Sequence, residues 1–188
     1  AVVVAAGSST RAGPGAPKPW RSLGGRPILR WSVEALSRAG AREIIVVTAP
    51  ERTADADEAL AGLAGWKAVA GGATRAESVQ AGLAALAPSD EEAVLVHDAA
   101  RPFVTSAHVQ SLLVALAEAD GAVPALPVAD TLKRGVDIVA ETVSRDGLWR
   151  AQTPQAFRLR TLRQAYGAWP ADAEPTDDAA VVERAGGK

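Results

Sequence analysis

The sequence predicts an α/β protein whose mostly parallel sheet is covered by helices on both faces and carries a projecting antiparallel β-arm. Three observations carry this. Short apolar runs lack the alternation of a half-exposed strand, as expected where both faces are buried. Four of them are each followed by a helical pattern, the rhythm of a parallel sheet with crossover helices. That rhythm breaks between Ala129 and Arg150, where two strand patterns lie too close together for a crossover helix.

Val2 to Ala6 is the first run, and Gly7-Ser8-Ser9-Thr10 opens a turn after it. The proline-rich stretch from Gly13 to Pro19 cannot be helical and reads as loop. Pro27 at a first helical position, an apolar face of Ile28, Leu29, Val33 and Leu36, and Gly40 as a stop predict a helix, and Glu43 to Val47 the second strand. Arg52 to Leu63 is helical in pattern and Trp66 to Ala70 is a strand. Thr74-Arg75-Ala76-Glu77 is a capping box opening a helix that carries Val79, Leu83 and Leu86. Ala93 to Val96 is the fourth strand, and it runs into His97-Asp98-Ala99-Ala100-Arg101-Pro102. Thr105 or Ser106 caps a helix to about Ala119, and Gly121 to Leu126 is a fifth strand. Thr131 to Lys133 and Ile138 to Val143 pair as the arm, about 129–150, which is too small to hold a fold alone. Leu159 to Tyr166 and Asp177 to Ala185 are helices, with Thr176 a candidate cap for the second.

With 188 residues and 48% hydrophobic side chains the chain has enough apolar surface for one core, so 1–188 reads as a single domain. Its 20 Lys and Arg against 22 Asp and Glu give a net charge of -2, which supplies no global positive field for nucleic acid or an anionic membrane. A polyanion must be bound locally. The absence of cysteine excludes disulfides, thiolate zinc sites and cysteine nucleophiles, and His97 and His108 alone do not support a histidine-rich metal site. No apolar run approaches the roughly 18 residues of a membrane span, and the reading is soluble and cytoplasmic. The chain has no Met, opens directly in a strand pattern at Ala1 and closes on Gly186-Gly187-Lys188 after a helix, so a longer protein with an incomplete C-terminal end is expected.

Four constellations could carry chemistry. Ala5-Ala6-Gly7-Ser8-Ser9-Thr10-Arg11 with Pro17-Lys18 is neither a Walker A motif nor a dinucleotide fingerprint. It offers backbone N–H groups after a strand, with two cations on a stiffened loop, as a triphosphate requires; an ordinary surface loop competes with that reading. Asp98 stands at the carboxyl end of a strand, where ligands bind in open parallel sheets, and is suited to hold Mg2+ against phosphate oxygens. A turn or capping aspartate is its alternative, and His97 reads as a packed, hydrogen-bonded histidine and not a base. Gly71 and Gly72 before a capped helix with Ser78 would admit a base or ribose, although taken alone they read as a plain turn and cap. Thr131, Arg145 and Thr153 have the groups for one phosphate monoester, or else belong to a salt-bridged hairpin surface. Trp20, Trp31, Trp66, Trp149 and Trp169 follow no register and read as packing or interface residues.

Taken in order, Ala5-Ala6-Gly7-x-x-x-Arg11 with Pro17-Lys18, Gly71-Gly72-x-x-Arg75-x-x-Ser78-Val79, Val96 to Pro102, Asp130-Thr131-x-Lys133, and Arg145-x-x-Leu148-Trp149-x-x-Gln152-Thr153-Pro154-Gln155-x-Phe157 resemble one enzyme family. It is the 2-C-methyl-D-erythritol 4-phosphate cytidylyltransferase family of the non-mevalonate isoprenoid pathway, and the likeness runs from Ala1 to about Ala185. The resemblance implies a Rossmann-like sheet, a homodimer held by the arm, CTP as donor and Mg2+ as cofactor. It places Arg11 and Lys18 at the reacting phosphates, and Ala6, Gly7, Ser8, Gly72, Arg75, Ser78 and Ala99 around the nucleotide. Asp98 falls at the metal, and Thr131, Arg145, Thr153 and Thr176 at the methylerythritol phosphate, the partner subunit supplying Thr131 and Arg145. Ala73 departs from an Asp found in some relatives. A later strand bearing a Lys would lie beyond Lys188, and some relatives continue into a cyclase domain.

The implied reaction is an in-line displacement at the α-phosphorus of CTP, for which an already anionic phosphate monoester needs no general base. A ribitol 5-phosphate cytidylyltransferase is the alternative within the class. A nucleotide-binding protein without turnover is the alternative outside it.

Overall fold

The computed structural model describes residues 1–7, 15–87, 92–170 and 172–188. The first half alternates as expected, except for an added small hairpin of β2 (Ser22–Leu23) and β3 (Arg26–Pro27), which takes Pro27 as the cap and not the first residue of the helix: β1 (Val2–Val4), that hairpin, α1 (Ile28–Arg38), β4 (Ile44–Thr48), α2 (Thr53–Ala59), β5 (Trp66–Ala70), α3 (Arg75–Ala85) and β6 (Ala93–Asp98). There follow α4 (Ser106–Ala115), β7 (Gly121–Ala122), β8 (Ala125–Pro127), β9 (Leu132–Gly135), β10 (Val139–Val143), β11 (Trp149–Ala151), β12 (Gln155–Arg158), α5 (Leu159–Gly167) and α6 (Asp178–Arg184).

The main sheet has the order β5-β4-β1-β6-β12-β7. β1 pairs in parallel with β4 and β6, and β4 with β5, while β12 runs antiparallel to β6 and β7. Successive side chains of a strand face opposite ways. Val2, Ile45 and Val47 therefore join Val79, Phe157 and Leu162 under α3, α5 and α6, whereas Val3, Ile44 and Val46 join Leu29, Leu36 and Leu112 under α1 and α4. Two cores explain why the strand sequences show no alternation. The chain is a mostly parallel, Rossmann-like α/β fold with an antiparallel arm, and among the described residues no helix is long and apolar enough to cross a membrane.

Four further details differ from expectation. The segment from Gly121 to Leu126 is two strands: β7 ends at Ala122 in the main sheet, and β8 leaves to pair with β11. Pro124 stands between them and can donate to neither ladder. β12 has no counterpart among the expected strands because its first residue, Gln155, is polar yet only 1% exposed. Its amide donates to Asp177 Oδ2 at 2.9 Å and its oxygen accepts from the Ala179 N–H at 3.1 Å, which satisfies the side chain inside the fold. The described part of the proline-rich stretch contains a single 3-10 turn, Lys18–Trp20, where proline in the first positions loses no bond. Lastly, α6 is capped by Asp177 and not by Thr176. One Asp177 oxygen takes the Ala180 N–H at 2.9 Å and the other the Gln155 amide, which leaves Thr176 exposed beside the strand ends.

The capping box is formed as read: Thr74 Oγ1 accepts from the Glu77 N–H at 3.1 Å, and Glu77 Oε2 from the Thr74 N–H at 3.2 Å. Thr105, not Ser106, caps α4, accepting from the His108 N–H at 3.2 Å. The arm consists of the β9–β10 and β8–β11 ladders. Val136, Ile138, Val139 and Trp149 on it are exposed apolar side chains.

Candidate active site

In the order β5-β4-β1-β6, the chain moves outward from β1 in one direction and returns on its other side at β6. The loops leaving the carboxyl ends of β1 and β6 therefore part there and open a crevice, the position where open α/β sheets bind ligands. Val4 is level with Asp98 in the β1–β6 register, so the turn at Ala6-Gly7 meets the Asp98 loop. The Gly71 N–H donates to the Thr48 carbonyl at 2.8 Å and brings the glycine turn after β5 to the same edge. A cavity of about 460 Å³ lies among these turns, and Ala6, Gly7, Gly72, Arg75, Ser78, Asp98 and Ala99 all line it.

The two glycines have a structural reason to be there. A Cβ on Gly72 would meet Glu77 Cβ at 2.3 Å, and one on Gly71 would meet Ser78 Oγ at 2.5 Å. Close packing against Ser78 and Glu77 thus forbids a side chain at either position, and at Gly72 it leaves backbone facing the cavity. Ser78 is buried, and its hydroxyl donates to the Thr74 carbonyl at 2.9 Å, within the same turn.

Arg75 crosses from this cavity to a second one of about 380 Å³, which Asp98, Arg101, Thr153 and Thr176 also line. Its guanidinium donates to Asp178 at 2.7 Å and lies 3.6 Å from Asp98. Burial opposes the Arg75 charge, but the charge and hydrogen bond of Asp178, with Asp98 adding to them, hold its pKa above the ordinary value. Asp178 is fully buried and also accepts from the Tyr166 hydroxyl at 2.6 Å. Burial first, then the Asp178 charge and hydrogen bond, push the Tyr166 hydroxyl up, so it remains a donor. Neither Asp178 nor Tyr166 stands out in the sequence. Only an acidic residue just inside a helix start hinted at the first.

Asp98 Oδ2 accepts from Arg101 Nε at 3.1 Å, and Arg101 also bonds Gln152. Two guanidiniums therefore flank the carboxylate that both cavities share. Among the described residues no group of three or more His, Cys, Asp and Glu side chains forms a metal cluster. One carboxylate of this kind fits a hard cation such as Mg2+, which takes its other ligands from phosphate oxygens and water, and does not fit a cation needing several side-chain ligands.

His97 is wholly buried, with Nδ1 3.0 Å from Thr153 Oγ1 and Nε2 3.0 Å from the Arg101 carbonyl oxygen. It is packed and hydrogen-bonded, as the sequence suggests. Burial pushes its pKa down to about 4, against the opposing effects of the Arg101 carbonyl and the Asp98 charge. An unfolded histidine titrates near 6.5, so between that pH and about 4 the unfolded chain gains a proton that the folded chain refuses. The His97 contribution to stability is thus complete above pH 6.5 and declines as pH falls to about 4, by roughly 3 kcal/mol in all. Denaturant unfolding from pH 7.5 to 4 should show this fall as the wild-type curve minus that of His97→Asn; parallel curves would contradict it.

The other expected residues are not gathered here. Lys18 is exposed at the start of the 3-10 turn, and its neighbour Pro19 is the residue that lines the first cavity. Thr131 and Arg145 are exposed on the arm and line neither cavity; the Arg145 guanidinium bonds the Ala129 carbonyl. Ser8 and Arg11 lie outside the described residues.

The model of the family IspD, 2-C-methyl-D-erythritol 4-phosphate cytidylyltransferase, matches residues 1–188. The chain is 60% identical over 189 residues to the bifunctional enzyme IspD/IspF of Caulobacter vibrioides, covering all of this chain and 49% of that protein. It thus spans about half the length of the curated relatives it matches. Among solved structures it is similar to 4-diphosphocytidyl-2C-methyl-D-erythritol synthase from Anaerococcus prevotii, with TM-score 0.83, 30% identity, and 98% and 81% of the two chains covered. It is similar also to the bifunctional IspDF of Campylobacter jejuni, with TM-score 0.83, 30% identity, and 100% and 47% covered.

Proposed function

The chain belongs to the 2-C-methyl-D-erythritol 4-phosphate cytidylyltransferase family, and from that premise we propose that it transfers CMP from CTP to 2-C-methyl-D-erythritol 4-phosphate and releases pyrophosphate. One observation carries the reading: two adjoining cavities share Asp98 and Arg75, the first walled largely by backbone turns and the second by Arg101, the Thr153 and Thr176 hydroxyls and the Asp177 carboxylate. A nucleotide fits the first, where the turns at Ala6-Gly7 and Gly72 and the neighbouring Ser78 and Ala99 allow close approach. The acceptor phosphate fits the second, beside Thr153 and Thr176.

An acceptor phosphate oxygen attacks the α-phosphorus, and the bond from that phosphorus to the bridging oxygen breaks, so the electron pair leaves with pyrophosphate. A phosphate monoester has its second pKa near 6 and is largely dianionic at neutral pH, so no residue need remove a proton. Mg2+, held by Asp98, supplies charge neutralisation to the phosphate oxygens when bound. The family likeness supports Arg11 and Lys18 at the reacting phosphates, where their positive charge would offset the negative charge that grows in the transition state. Thr131 and Arg145 reach the acceptor from a partner subunit, a role supported by the exposed apolar residues of the arm, which need a covering surface. The reaction belongs to the cytoplasm. A cyclase unit joined to this one is supported by the bifunctional relatives.

The test is pyrophosphate release from CTP with methylerythritol phosphate or ribitol 5-phosphate as acceptor. Faster turnover by at least tenfold with the first is expected; a preference for ribitol phosphate, or no release with either, would overturn the assignment. In the same assay Asp98→Asn should raise the Mg2+ concentration for half-maximal rate by roughly tenfold, about 1.4 kcal/mol of lost charge contact. An unchanged metal titration would return Asp98 to the role of a turn aspartate.

A further inference from the structure

β12 runs alongside β6 only as far as the Val96–Gln155 pair, so the Asp98 N–H lies beyond the last ladder partner on that side. The Thr153 hydroxyl takes the vacant place, accepting from the Asp98 N–H at 3.1 Å. On the other side the Ala99 N–H donates to the Val4 carbonyl at 3.0 Å, so the main chain around Asp98 is fixed from both neighbours. The Thr153 oxygen also lies 3.0 Å from His97 Nδ1. The remaining ring nitrogen, Nε2, faces the Arg101 carbonyl oxygen at 3.0 Å, and a carbonyl can only accept. Nε2 therefore carries the proton of the neutral ring, Nδ1 is bare, and the Thr153 hydroxyl must donate to it. A hydroxyl has one proton, so Thr153 keeps none for a ligand. The same ring braces the other end of the turn, where the Arg101 N–H returns to the Asp98 carbonyl at 3.0 Å.

We propose that the buried His97 and the half-buried Thr153 are a positioning pair that sets the Asp98–Arg101 turn, and that Thr153 serves the acceptor phosphate through this turn and not as a hydrogen-bond donor to it. The inference rests on the reading of Asp98 given above, but the pair itself can be examined without turnover. In the full chain labelled with 15N-histidine, the His97 signals should report a protonated Nε2 and a bare Nδ1. The Asp98 amide should be protected from hydrogen exchange and lose at least tenfold of that protection in Thr153→Val. A protonated Nδ1, or an Asp98 amide indifferent to Thr153→Val, would overturn the proposal whatever the enzyme does.

Kinetics give the second arm. His97→Leu and Thr153→Val should each lower turnover by roughly tenfold or more with KM for CTP within about threefold, the pattern of a misplaced group and not of lost nucleotide binding. Mg2+ alone, titrated against protein fluorescence, should bind more weakly to both. His97→Asn retains an acceptor oxygen near the Nδ1 position and should recover most of the loss. Equal losses in the Leu and Asn variants would reduce His97 to packing. A rise in acceptor KM with Thr153→Val alone, turnover intact, would make Thr153 a direct phosphate ligand. If the parent itself releases no pyrophosphate, the transferase reading fails while the tautomer and exchange measurements still decide the pair.

Discussion

Replacing Lys18 by alanine is expected to lower turnover by roughly 100-fold or more while CTP affinity changes only a few-fold, the mark of a contact that strengthens in the transition state. Its position favours that outcome over a fold defect. The 3-10 turn Lys18–Trp20 is closed by the Trp20 N–H on the Pro17 carbonyl at 3.0 Å and the Arg21 N–H on the Lys18 carbonyl at 3.2 Å. Pro19 is buried and reaches the first cavity, and the Arg52 guanidinium covers the Trp20 ring at 5.7 Å. These backbone and ring contacts do not involve the Lys18 side chain, which is exposed, so truncation leaves them in place. An ammonium on a long stem can meet the charge that builds at the transferring phosphorus, where alanine offers nothing. Turnover is read from pyrophosphate release, and affinity from equilibrium titration with CTP in the absence of acceptor. A variant that turns over within threefold of the parent removes Lys18 from the reacting centre; a large loss of CTP affinity would make it a ground-state binder.

The parallel half of the fold is legible because each strand is an apolar run between turn residues, and both of its faces meet a core. Val2 with Val3 and Ile44 to Val47 show this directly. The antiparallel edge is not, because its cues are non-local. Gln155 looks polar and unsuited to a central strand until Asp177 and the Ala179 N–H are known to receive it. Gly121 belongs to β7 because the Phe157 ring occupies the space a Cβ would need, at 2.9 Å. At the site, Asp98 and the capping box of Thr74 are visible as strand-end and helix-start signals, and the structure brings them to one edge. The Arg75–Asp178–Tyr166 cluster joins residues far apart in sequence by two hydrogen bonds, and no local pattern marks such a meeting.

The separation of Arg145 from the two cavities leads to the second large effect. Its strands are paired only as short ladders, and Val136, Ile138 and Val139 are exposed along them, so the arm has apolar surface to cover but no core of its own. If the covering surface is a second copy, two-fold symmetry carries each arm to the other subunit, and Arg145 completes the site whose Lys18 belongs to its partner. Lys18→Ala and Arg145→Ala parents should then be nearly inactive alone. Refolded as an equal mixture, random pairing makes about half of the dimers mixed, and each mixed dimer has one site with both defects and one with neither, so about a quarter of wild-type activity should return. If Arg145 instead serves its own subunit, every site in a mixed dimer carries one defect and nothing returns above the parents. A pull-down through tags on the two variants establishes that mixed dimers have formed. With them present, no recovery of pyrophosphate release would remove Arg145 from the partner's site, while the transferase assignment would stand on the acceptor preference.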